Sequence, residues 1–226
     1  MKRVTLLVSA LLVSSIIASD AKGAASVVRL SEAAGKRTSV FAVLLQCQAA
    51  PDIACGGGLK PVLLDLERDP AIEQAWVNKS GTALLIIGSG SSTSASRALA
   101  VRSEIGKARE VKELTGDALG KVIDEFRSGS GWYRGQDLDE LSRQAASEVA
   151  TRLVRRTTEK VSLSAAKAEQ LEAALSNALQ TSFVNDPRAD PTADLLTTGS
   201  ARLDGAALAA FKQAVARGIY PETGEE

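Results

Sequence analysis

The sequence predicts an α+β protein in two parts: a strand-and-helix half over residues 38–135 and an all-helical half over residues 137–220. Three observations lead there. Thr38–Gln46 (TSVFAVLLQ) and Thr82–Ile87 (TALLII) are apolar runs bounded by Gly, Pro and charged residues, the pattern of buried strands. Apolar residues at helical spacing lie between them. After Gly135 the chain turns to Ala, Glu, Arg and Leu, with stripes of helical period.

The elements follow in order. Lys2 and Arg3 precede an uncharged apolar run of 14 residues, Thr5–Ala18, and then small and polar residues. That is the pattern of a secretory signal peptide, residues 1–25, and the run is short for a membrane span, which needs about 20. A retained N-terminal anchor is the alternative. The expected location is periplasmic or secreted. Thr38–Gln46 is the first strand. Gly56, Gly57 and Gly58 are expected to form a turn. Leu59–Arg68 is a helix with Leu59, Val62, Leu63 and Leu66 inward and Pro61 in its first turn; Asp69-Pro70 ends it. Ala71–Asn78 alternates, with Ile72, Gln74 and Trp76 on one side and Ala75 and Val77 on the other. Lys79-Ser80-Gly81 turns it into Thr82–Ile87, a β-hairpin. Gly88–Ser96 is a small-residue loop, and Ala98–Leu114 has helical character. Asp117–Arg127 is a helix with Leu119, Val122, Ile123 and Phe126 on one stripe, and Trp132 opens a short last strand. Three helices complete the chain: Asp137–Lys160, Ser164–Phe183 and Asp204–Arg217. Asn185–Gly199 reads as a loop and the end, YPETGEE, as frayed.

Strand, helix, strand, strand, helix, strand is the split βαβ, or ferredoxin-like, plan. Cys55–Ile87 (CGGGLKPVLLDLERDPAIEQAWVNKSGTALLII) resembles a heavy-metal-associated domain. That family opens its first helix with a Cys-x-x-Cys loop, ends it with Gly-Val, and follows with an alternating strand and hairpin. Cys55 stands at the first cysteine's place and Pro70-Ala71-Ile72 at the Gly-Val. Gly131-Trp132-Tyr133 is similar to the family's Gly-Tyr after the second helix. The second cysteine's place is Gly58, the loop before Cys55 is longer, and a polar insertion of about 25 residues follows Ile87. The resemblance implies that Cys47 and Cys55 share one edge of the sheet, with Cys47 in place of the missing thiol, and that the pair grips a soft cation such as Cu(I) or Hg(II).

Read on their own, the two cysteines, eight positions apart and the only ones in the chain, predict first a disulfide, because exported chains are oxidised. Closing so short a loop contributes about 2–3 kcal/mol. Redox or metal-binding thiols are the alternatives.

The rest of the sequence is mostly exclusion. There is no histidine, which removes Ser-His-Asp and Cys-His catalysis and His-based zinc sites. Lys plus Arg and Asp plus Glu are both 27, so net charge attracts neither nucleic acid nor anionic lipid. GSGSSTSAS lacks the Gly-Lys-Ser/Thr of a phosphate loop. NDPRADPTAD lacks calcium-loop spacing. Asp137, Asp139 and Glu140 complement a helix dipole. The expected role is therefore a non-enzymatic, exported binding protein with a protein partner in the cell envelope. Its alternatives are a thiol redox protein using Cys47 and Cys55, or a helical chaperone or stress-type protein that holds clients on its amphipathic helices.

Overall fold

The structure, a computed structural model, describes residues 37–106 and 110–225; the signal peptide expected over residues 1–25 lies outside them. The protein is mixed α/β: among the described residues it has seven α-helices and a five-stranded antiparallel sheet. The strands are β1 (Thr38–Ala42), β2 (Gln46–Cys47), β3 (Ala50–Ala54), β4 (Ile72–Asn78), β5 (Ala83–Gly88), β6 (Lys112–Glu113) and β7 (Trp132–Tyr133). The helices are α1 (Gly56–Leu66), α2 (Ser94–Ile105), α3 (Gly116–Arg127), α4 (Leu138–Thr158), α5 (Ala165–Asn185), α6 (Thr192–Ser200) and α7 (Gly205–Ala216). The sheet runs β6-β1-β5-β4-β7, and β2 and β3 form a separate hairpin.

Strand β5 explains why TALLII has almost no polar interruption. It lies at the sheet centre and every residue of it is buried. Leu84 and Ile86 face one core with Phe41, Ala75 and Val77. Ala83, Leu85 and Ile87 face the other with Val40 and Trp76, under Phe126 of α3 and Trp132. Phe126 meets both tryptophan rings edge to face, at 5.3 Å between centroids. A bulge between Ile72 and Gln74 moves Ile72 to the Ala75 side, where strict alternation placed it beside Trp76.

Several boundaries differ from the sequence reading. The first strand stops at Ala42. Residues 43–45 instead bond to the tip of the β4–β5 hairpin, Val43 N–H to Thr82 O at 3.0 Å and Leu45 N–H to Gly81 O at 2.9 Å. The β2–β3 hairpin that follows was not foreseen. The helix after β5 is α2, stopped at Gly106 (φ 87°), and the strand it leads to is Lys112–Glu113 beside β1. Helix α3 is then an extra cover for the second face of the sheet, and Trp132–Tyr133 pairs with β4 at the opposite edge. In the predicted loop 185–199, Thr192–Ser200 is helical. The serine-rich loop after β5 is closed rather than loose. Thr93 caps α2 in a reciprocal bond with Ser96, and buried Arg97 reaches Ser39 Oγ at 2.9 Å and Ser92 Oγ at 3.1 Å.

The three glycines do not form a turn. They are the first turn of α1, and the first two have no room for a side chain because other backbones press on them. A methyl on Gly56 would stand 2.3 Å from the Leu138 carbonyl oxygen of α4; one on Gly57 would stand 2.0 Å from the Phe183 carbonyl oxygen of α5. Starting at Gly56 also puts Pro61 in the second turn, where its missing N–H leaves the Gly57 carbonyl without a helical donor. Helix α4 joins the two halves: Leu138, Leu141 and Ala145 belong to the core under the sheet, whereas Ala146, Val149 and Leu153 belong to a second core with Leu171, Leu175, Leu179 and Phe211.

Gly57→Ala is accordingly expected to cost about 2–3 kcal/mol in denaturant unfolding, through overpacking of two backbones. Gly120→Ala, on the exposed face of α3 with nothing within 4 Å, should instead gain about 0.5–1 kcal/mol from helix propensity. Equal effects at the two positions would contradict this packing.

Candidate thiol cleft

Cys47 ends β2, and Cys55 is the cap residue before α1. The intervening β2–β3 hairpin folds the chain back, and the Cys55 N–H donates to Leu45 O at 3.0 Å, which returns the two cysteines to the same rim. Cys47 packs against both the sheet core and the helical core, so the pair sits where the cores meet. Both cysteines are half-buried, and the expected bridge is not formed in this structure. The Cys47 thiol is hydrogen-bonded to Cys55. That bond, then burial, pushes the Cys47 pKa far above its ordinary value, against a smaller downward pull from backbone bonds at Ala49 and Ala50.

The pair opens on a cleft of about 630 Å³, within the range of small-ligand sites. Gly56 at the N-terminus of α1, Ser142 of α4, Arg188 and Asp190 in the α5–α6 loop and Tyr220 in the C-terminal tail are among the residues that line it. Ser142 Oγ is buried and has no hydrogen-bond partner among the described residues. Helix α1 has neither an acidic residue in its first turn nor a side-chain cap, so its N-terminus is an uncompensated positive dipole end. Lys60 of α1 is tied to Asp139 of α4 at 2.8 Å, which fixes the angle at which that end meets the cleft.

The tail forms one wall, and it is not frayed. Arg152, buried, donates to Ala49 O at 2.7 Å in the cysteine hairpin and to Ile219 O at 2.8 Å in the tail. Arg156, also buried, donates to Gly218 O at 2.6 Å, Tyr220 O at 2.8 Å and the Glu225 carboxylate. These arginines were missed from sequence. Their signal was there: Val149, Arg152, Leu153 and Arg156 repeat at helical spacing, so two cations stand inside an apolar stripe.

The other candidate residues have structural partners. Asp190 Oδ1 accepts the Thr192 N–H at 3.0 Å, and Asp186 Oδ1 the Arg188 N–H at 3.4 Å. Glu140 pairs with Arg143 at 2.9 Å. Among the described residues no group of three or more Cys, Asp or Glu side chains is placed to hold a metal ion, and no helix is long and apolar enough to cross a membrane. Comparison with protein-family models, curated proteins and solved structures finds no match to this chain.

Arg156 holds the Glu225 carboxyl down from 4.5 to about 2. A depressed carboxylate stabilises the fold above its unfolded value and loses that contribution as pH falls through the folded one. The tail should therefore loosen between about pH 4.5 and 2, seen as faster hydrogen exchange at residues 218–225. Glu225→Gln should show the loosened tail already at neutral pH and no acid step; an unchanged step would refute the staple.

Proposed function

We propose that this chain is an exported binding protein whose ligand site is the thiol cleft. One observation carries the reading: two cysteines eight positions apart are folded back so that both line one cleft, where the two cores meet. The order β1-α1-β4-β5-α2-β6, with β6 beside β1 and β5 between β1 and β4, fits the ferredoxin-like plan, with α3 and β7 added. On that reading the sheet and α1 are the mount for the thiols, and α4–α7 with the tail make the opposite wall.

The donor set suits a soft cation. Two sulfurs on one rim match the two-coordinate preference of Cu(I) or Hg(II), and among the described residues no third Cys, Asp or Glu side chain joins them to make a larger ligand set. Gly58, where the heavy-metal-associated pattern has its second cysteine, supports the same reading. A methyl on it would stand 3.2 Å from the Cys55 sulfur, so the space over the first turn already belongs to that sulfur, and the partner thiol arrives from β2 instead. In an oxidising compartment the same pair would close to the disulfide expected from the sequence. The apolar stripes of α4 and α5 are buried against one another and α7, so a client-holding role would need another surface.

The test is metal uptake by the reduced full-length chain. One equivalent of Hg(II) or Cu(I) is expected per chain, lost in both Cys47→Ser and Cys55→Ser. Uptake that survives either substitution, or none by the reduced protein, would remove the cation from this proposal.

A further inference from the structure

The walls of the cleft are not attached alike. At α1 the backbones of α4 and α5 press directly on the helix, and the cysteine hairpin carries its own strand pairing. The tail, residues 218–225, has neither helix nor strand. It turns away from α7 at Gly218, whose φ of 84° is left-handed. Arginine side chains of α4 tie it down: Arg152 donates to Ile219 O at 2.8 Å, and Arg156 to Gly218 O at 2.6 Å, Tyr220 O at 2.8 Å and Glu225 Oε1 at 2.9 Å. Ile219 packs half-buried against the helical core, whereas Tyr220 is exposed. Lifting such a segment exchanges guanidinium bonds to carbonyls for bonds to water and uncovers little apolar surface, so it costs far less than unfolding.

We propose that residues 218–225 are a strap that gates the thiol cleft, pivoting at Gly218 and latched by the Arg156–Glu225 ion pair. The proposal rests on the cleft being the ligand site and adds how a ligand enters and leaves it. Position argues for a gate. Gly218, Ile219 and Tyr220 line the cleft together with Cys47 and Cys55. A single nitrogen of Arg152, Nη1, donates both to Ile219 O at 2.8 Å and to Ala49 O at 2.7 Å. The strap therefore crosses beside the cysteine hairpin, next to a residue two positions from Cys47.

The latch lies at the other end of the strap from the pivot. The Glu225 carboxylate meets Arg156, with Arg155 and Arg217 each at 3.6 Å, and Glu225 stands outside the cleft lining. Removing its charge therefore frees the strap without altering a residue that lines the site. An ion held by two sulfurs bonds to the strap in neither state. Opening the gate then speeds entry and exit by the same factor and leaves affinity unchanged.

The experiment uses the reduced full-length chain in chelator, with uncharged iodoacetamide as the probe of access and mass mapping as the readout. Glu225→Gln should speed alkylation of Cys47 and Cys55 together at least about threefold, because a charged hydrogen bond that holds the closed state is lost. Ile219→Ala, which trims the apolar anchor of the strap, should act in the same direction. In Glu225→Gln hydrogen exchange should rise at residues 218–225 and stay unchanged in α4 and β5, which separates a lifted strap from a loosened fold. With Hg(II) as probe and no chelator, Glu225→Gln should still take up one ion per chain, with entry and transfer out to a competing dithiol both faster by a similar factor. Alkylation that neither variant speeds would overturn the gate. Lost Hg(II) uptake in Glu225→Gln with an unchanged entry rate would overturn it too, by making the strap part of the binding site. Should the reduced wild type take up no Hg(II), the cation proposal falls, while alkylation still decides whether the strap governs access to the thiols.

Discussion

The rest of the structure depends on a close approach of backbones. The first two residues of α1 touch the carbonyls of α4 and α5, at distances no side chain would permit. That contact seats the start of α1 against α4 and α5, and α4 then contributes its first turns to one core and its later turns to the other. Cys55, the residue just before the contact, is carried to the seam. Its thiol, the end of the helix and the cleft are placed by the same event.

The two buried arginines hold the seam shut from the far side. A guanidinium taken out of water needs hydrogen bonds for its donors, and Arg152 finds them in two segments distant in sequence, the cysteine hairpin and the tail. Arg156 does the same for Gly218, Tyr220 and Glu225. An apolar residue at either position would leave backbone carbonyls unpaired in the interior, a cost of about 1–3 kcal/mol for each such group. The cleft wall is thus held by charge-assisted bonds to backbone, which fix its shape while leaving its lining free for a ligand.

Much of the fold was legible. TALLII, and the SVF of the first strand, are continuous because these strands are buried on both faces, and the stripes of α4, α5 and α7 have helical period because each buries one face. Where the reading slipped, the cause was a competing local preference. Gly56-Gly57-Gly58 has turn chemistry, overridden by helix packing. Lys112–Glu113 carries no strand signal, being two charged residues whose pairing to β1 comes from the sheet edge. Trp132 and Tyr133 do look like a strand, but which edge they join is a matter of topology.

By itself, the sequence determined the alternation of elements and the absence of histidine chemistry, because short-range pattern and composition are local properties. Only the tertiary structure decided that both cysteines line one cleft, that one of them stands at a helix N-terminus, and that a distant tail walls that cleft. Those relations join residues as far apart as Ala49, Arg152 and Ile219, and the burial and hydrogen-bond demands that bring them together arise only once the chain has packed.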